Sequence, residues 1–176
     1  RVAATTEQVT VDENNNPSSY AFASMPSLSP DGRFIAYQSA PNLARVDVSL
    51  FDRQTLRTEV VSLQIDGAEP PDSRSLAPSV SADGRFVAFS SDAATLLGPG
   101  LDTNGAYDVF VRDRLLAVTD RVNLGPGGAQ STGDPSSGRT QIGRIGYEVL
   151  FESDASDLLP PGTDTNGAAD VFLHGP

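Results

Sequence analysis

The chain has 176 residues, 38% of them hydrophobic, with 12 basic residues, all arginine, against 23 acidic ones and a formal charge of −11. That length supports one domain with a real core, and the acidic balance argues against nucleic acid or an anionic membrane surface as partner. The absence of cysteine excludes disulfides, thiolate zinc sites, iron–sulfur clusters and cysteine nucleophiles. Mean hydropathy is −0.22, and no apolar run approaches the roughly 18 residues of a membrane span. The chain opens on Arg1 rather than Met, so removal of a leader is compatible with the sequence. His174 is the one histidine and reads as an exposed tail residue, so no Ser-His-Asp triad or multi-histidine metal site is expected.

In chain order, "TEQVTV" (6–11) is the first strand-like segment. "PSLSPDGRFIAYQS" (26–39) then gives a short strand, an Asp-Gly hairpin and an aromatic strand. The apolar residues of "RFIAYQS" fall on consecutive positions, which suits a strand covered on both faces. "VDVSLFDR" (46–53) and "TEVVSL" (58–63) read as third and fourth strands.

After a connection, "QIDGAEPPDSRSLA" (64–77), the pattern repeats. "PSVSADGRFVAFSS" (78–91) matches the first unit at an offset of 52 residues, from Asp31 to Asp83. "YDVFVRDR" (107–114) and "TDRVNL" (119–124) follow as the third and fourth strands. Between the second and third strands lies "GLDTNG" (100–105), absent from the first unit. A flexible connection, "GPGGAQSTGDPSSG" (125–138), leads to a third unit. "YEVLFESDASDLLPPGTDTNGAADVF" (147–172) lies over the second unit at a constant offset of 62, although its opening hairpin has lost the aspartate to Ile145.

No segment keeps a 3.6-residue apolar period over three turns, so the expected fold is all-β. Four antiparallel strands in each repeat, apolar on both faces, is the plan of β-propeller blades; a β-sandwich needs no such self-similarity. The expected blades span about 20–63, 77–124 and 139–174 within a single domain, 1–176. The third unit ends where its fourth strand should begin, whereas 6–11 resembles a displaced fourth strand. Glu7, Val9 and Val11 are therefore candidate assembly-strand residues that complete the third blade, in the same chain or in another copy. Three blades are fewer than the four to eight that natural propellers use. A closed dimer of six blades is the preferred resolution; a longer chain or an open filament built by strand exchange are the alternatives.

The S-x-D-G-R turn followed by an aromatic strand resembles the WD-like repeats of TolB-type propellers. The segment "FSSDAATLLGPGLDTNGAYDVFVRDR" (89–114) is similar to a variant found in bacterial, often exported, proteins. That resemblance implies a propeller and an extracellular or periplasmic setting. It implies no single function, because such propellers serve as scaffolds, binding platforms and appendages of hydrolases.

The "DTNG" loops raise a metal question. Asp102, Asn104 and Asp108, with their repeats Asp164, Asn166 and Asp170, follow part of a calcium-loop spacing, and Gly105 and Gly167 sit where the sharp turn belongs. Gly100 and Gly162 replace the first carboxylate; Asp92, Asp154 and Thr163 are candidate helpers. The competing and preferred reading is a turn in which Asp and Asn bond their own backbone. Asp31 and Asp83 read as hairpin residues, and Asp52 and Asp113 as makers of blade-to-blade hydrogen bonds or arginine pairs rather than catalytic groups. With no G-x-S-x-G and no phosphate loop, the expected protein is a non-enzymatic binding or assembly module that acts on proteins through its loop-rich face and associates with itself, with no cofactor except for the possible calcium. The alternatives are a structural subunit of an extracellular assembly and the accessory propeller of a hydrolase.

Overall fold

The computed structural model describes residues 5–12, 16–71, 73–133 and 139–175. It is all-β. Eleven strands form three antiparallel sheets, and the single helical turn among the described residues is a short 3-10 segment at Pro126–Gly128. Sheet 1 orders β1 (Phe22–Leu28), β2 (Phe34–Ala40), β3 (Asp47–Asp52) and β4 (Arg57–Val60) side by side. Sheet 2 repeats this with β5 (Ser75–Val80), β6 (Phe86–Ser91), β7 (Asp108–Asp113) and β8 (Val118–Arg121). Sheet 3 has three strands, β9 (Thr140–Ile142), β10 (Val149–Ser153) and β11 (Asp170–His174). These are propeller blades, and the chain is a partial propeller.

Repetition in sequence is matched by repetition in detail. Ser29 Oγ donates to Asp31 at 2.6 Å and accepts from the Phe34 amide at 2.9 Å. Ser81 makes the same two bonds, to Asp83 and from Phe86, at 2.7 and 3.0 Å. Asp31 and Asp83 also cap the amides of Arg33 and Arg85, so both aspartates fold their hairpins. The guanidiniums of Arg33 and Arg85 then clasp Asp52 and Asp113 at the ends of β3 and β7, stacking on Phe34 and Phe86 with 4.5 and 4.6 Å to the ring centroids. Strands β1 and β5 carry the same bulge, in which Met25–Pro26 and Ala77–Pro78 each stand opposite a single residue of the next strand. Proline lacks an N–H for the ladder, which suits it to a bulge.

Stacking of the sheets makes the core. Phe34, Ala36, Val48 and Leu50 of sheet 1 pack against Val87, Phe89 and Phe110 of sheet 2. On the other side of sheet 2, Phe86, Ala88, Val109 and Val111 meet Val149 and Phe151 of sheet 3. Successive side chains on each strand therefore serve opposite neighbours, which is why the central strands read as unbroken apolar runs. Hairpin glycines lock the stack. A Cβ on Gly84 would lie 2.4 Å from the Phe34 ring and one on Gly146 2.1 Å from Phe86, and both have positive φ.

The N-terminal segment, expected to complete the third blade of the same chain or of another copy, does not lie beside β11 of its own chain. Glu7, Val9 and Val11 lie against sheet 1, where Val11 is buried beside Tyr37 and Phe51 with Val9 and Tyr20 around them. Residues 6–10 form no strand among the described residues, and β11 pairs on one side only, with β10. The apolar face of Tyr37 and Phe51 accounts for the placement, because it is the outer face of the stack and has no sheet of its own to cover it.

Candidate functional site

Antiparallel succession puts the hairpins β1–β2, β5–β6 and β9–β10 at one end of the sheets and the long connections at the other. The long-loop end gathers residues 41–46, 61–71, 73–74, 92–107, 122–133 and 154–169. Hydrogen bonds tie them together. Thr103 and Asn104 bond Gln130 and Ser131 across loops. Asp157 accepts from Ser131 and Thr132, and these donors hold its carboxyl below its ordinary value against the opposing cost of burial. The Asp92 carboxylate accepts from the Arg74 amide at 2.6 Å.

The candidate cation residues sit within this face. Asp102, Asn104 and Asp108 do come together, around a positive charge that the chain supplies itself. The Arg121 guanidinium lies 2.7 Å from Asp108 Oδ2 and 3.8 Å from Asp102 Oδ1. Asn123 donates to Asp108 Oδ1 at 2.7 Å, and Gln130 donates to Asp102 Oδ1 at 2.7 Å. Asp108 is fully buried and the Arg121 side chain nearly so, a geometry in which a charge needs a partner. Arg121 stands on β8, outside the loop pattern, so the loop spacing carried no signal for it. Within the turn, Asn104 Oδ1 accepts from the Ala106 amide at 3.0 Å, and Gly105 has φ of 68°.

The second copy of the loop lacks this arginine. Asn166 caps Ala168 at 2.8 Å, and its amide donates to both oxygens of Asp170, at 3.2 and 3.1 Å. Asp164 is partly exposed and accepts from the Asn166 amide at 3.3 Å. No cluster of three or more His, Asp or Glu side chains suited to a metal occurs among the described residues. Of the candidate helpers, Asp92 is committed to Arg74, and the Thr163 amide donates to Pro160.

The same repeat position in sheet 1 is Asp47, paired with Arg45 at 3.0 Å. Burial pushes its carboxyl up despite Arg45, and its Oδ1 has no hydrogen-bond partner among the described residues. One repeat position thus has three settings: Asp47 with Arg45, Asp108 with Arg121 and Asn123, and Asp170 with Asn166 alone.

Large apolar side chains stand out on this face. Leu43 is 82% exposed, Ile65 63%, Leu101 58% and Leu159 38%, one from each of four long connections. Composition offered no way to find them, because a leucine in a loop looks the same in sequence whether it is buried or exposed.

The fold is that of a β-propeller in part. No family model and no curated protein matches the sequence. Solved structures do. TolB from Acinetobacter baumannii superposes with a TM-score of 0.51 at 19% identity, over 88% of this chain and 30% of that one. A candidate TolB from Agrobacterium tumefaciens gives 0.55 at 14%, over 90% and 47%. The β-propeller domain of the Trilobed protease from Pyrococcus furiosus gives 0.53 at 12%, over 91% and 41%. The chain spans less than half the length of each.

Proposed function

We propose that the chain is a non-catalytic propeller module that takes a protein partner on its long-loop face. The observation that carries this reading is the set Leu43, Ile65, Leu101 and Leu159, presented to solvent from connections that are hydrogen-bonded to one another. Exposed apolar anchors on a rigid scaffold are how protein surfaces gain binding energy. The surrounding acidity suits a partner with a basic rim, since the chain carries −11. The buried carboxylates Asp47 and Asp108 are engaged by arginine and serve structure rather than acid–base chemistry. The resemblance of the DTNG repeats to those of exported bacterial proteins favours a periplasmic or extracellular setting. No helix among the described residues is long and apolar enough to cross a membrane.

The opposite end provides a control, because Leu115 and Leu116 on the β7–β8 hairpin are 74% and 64% exposed. Capture from an extract of the source cells compares the native chain with Ile65→Asp/Leu101→Asp and with Leu115→Asp/Leu116→Asp. The expected result is a protein retained by the native chain and the hairpin variant and reduced at least tenfold by the loop variant. Equal retention by the loop variant, or loss with the hairpin variant alone, contradicts the assignment.

A further inference from the structure

The N-terminal segment repeats, bond for bond, the contacts that one blade's outermost strand makes with the next blade. Between sheets 1 and 2, Glu59 of β4 accepts from Arg114 Nε, and Arg114 Nη1 donates to the Gly84 carbonyl. The Thr119 hydroxyl of β8 donates to the Leu63 carbonyl. On the outer face of sheet 1, Glu7 accepts from Arg53 Nε, Arg53 Nη1 donates to the Gly32 carbonyl at 3.0 Å, and the Thr58 hydroxyl donates to the Val11 carbonyl at 3.0 Å. Glu7, Val9 and Val11 of "TEQVTV" correspond to Glu59, Val61 and Leu63 of "TEVVSL". Val9 packs against the cluster of Tyr37 and Phe51, as Val61 belongs to the cluster of Val87 and Phe89. The segment therefore holds the place of a fourth strand from a preceding blade, with no third strand beside it.

Sheet 3 has the complementary deficit. The outer edge of β11 is unpaired among the described residues. A groove of about 440 Å³ opens between β8 and β11, lined by Val118, Asp120, Val122, Tyr147, Val149 and His174. The outward face of sheet 3 bears Leu150, Val171 and Leu173, 40%, 68% and 64% exposed. Their repeat equivalents in sheet 2 are Ala88, Val109 and Val111, which pack on the next blade.

We propose that residues 6–11 complete a blade whose other three strands, β9, β10 and β11, belong to a second copy of this chain, so that two copies close a ring of six blades. Sheet 3 of one copy stacks on sheet 1 of the other, with Leu150, Val171 and Leu173 over Ile35 and Tyr37. Charge agrees with this pairing. At the repeat position of Phe34 and Phe86, sheet 3 carries the exposed Glu148. The Phe34 ring receives Arg114 of the next blade, 5.6 Å from its centroid; by the same correspondence Glu148 receives the second copy's equivalent of that arginine, Arg53. A carboxylate thus replaces the ring where an arginine arrives. A two-fold ring uses both deficits of each copy and leaves no blade short of a strand or without a neighbour on each face. The proposal is independent of the loop-face reading, since it uses neither the loops nor their leucines.

The register follows from sheet 1, where Phe51 stands opposite Thr58. The equivalent pair is His174 of one copy opposite Thr6 of the other. Because the chain has no native cysteine, Thr6→Cys/His174→Cys is a clean probe. Mild oxidation is expected to give a covalent species of two chains in high yield, with either single variant at least tenfold less cross-linked. A disulfide closed within one chain, a ladder of higher multiples or no cross-link overturns the proposal. In a second measurement without cysteines, Val171→Asp is expected to sediment as a folded single chain where the native protein sediments as two. Unchanged mass of that variant also overturns it.

Discussion

Sheets 2 and 3 share a sequence pattern and differ in surroundings. In sheet 2, Ala88 and Val109 are fully buried and Val111 is 9% exposed; in sheet 3, Leu150, Val171 and Leu173 at the same places are 40%, 68% and 64% exposed. The residue types barely change. What changes is that sheet 2 has a blade on each side and sheet 3 has one. Burial in this fold is therefore a property of the stack, and the open face of sheet 3 keeps the chemistry of an interior.

The largest expected contrast tests that directly. Val109→Asp places a carboxylate between sheets 2 and 3 with no partner, and is expected to cost at least about 3 kcal/mol, enough to lower the melting temperature by roughly 6–12 °C. Val171→Asp makes the same change at the equivalent place and is expected to leave a single chain folded by circular dichroism. Equal damage from the two contradicts the comparison.

A second contrast lies in the repeated loop. Asp108→Asn leaves the buried Arg121 with the Leu101 carbonyl and with Asp102, 3.8 Å away, as its nearest carboxylate, and is expected to cost about 3 kcal/mol by urea denaturation. Asp170→Asn, with no arginine beside it, is expected to change stability by less than about 0.5 kcal/mol. A metal bound by both loops would instead make the two substitutions alike, and millimolar calcium would raise the melting temperature; the arrangement around Arg121 predicts no rise.

The smallest effect concerns acid. Bonds from Arg33 and Arg85 hold Asp52 and Asp113 below their ordinary value of 3.8. Carboxyls depressed on folding stabilise the protein above that value, and the contribution fades as pH falls through the lower folded value. Asp52→Asn/Asp113→Asn is expected to lower stability by about 1 kcal/mol or less per site at neutral pH, and to flatten the decline below pH 3.8 seen for the native chain. An unchanged acid profile contradicts the role of these clasps.

Much of the architecture was legible because the chain repeats itself. The offset from Asp31 to Asp83 and the 62-residue match of the third unit locate three blades, and Asp-Gly marks each intact hairpin. The likeness of 6–11 to 58–63 was legible too, but the face it covers was not: whether the segment lies beside β11 of its own chain or packs on Tyr37 depends on which sheets are left open, which no local pattern encodes. The loop aspartates were visible as a group, whereas Arg121 and Asn123 come from β8 and its continuation and reach the loop only through the sheet. The exposed leucines escaped notice because exposure is decided by neighbours.

Sedimentation equilibrium of the native chain, across a hundredfold range of concentration reaching tens of micromolar, bears most directly on the open faces of sheets 1 and 3. The account predicts a species of two chains at the upper end, twice the 18.4 kDa of one. A mass of 18.4 kDa throughout, or growth without limit, contradicts it.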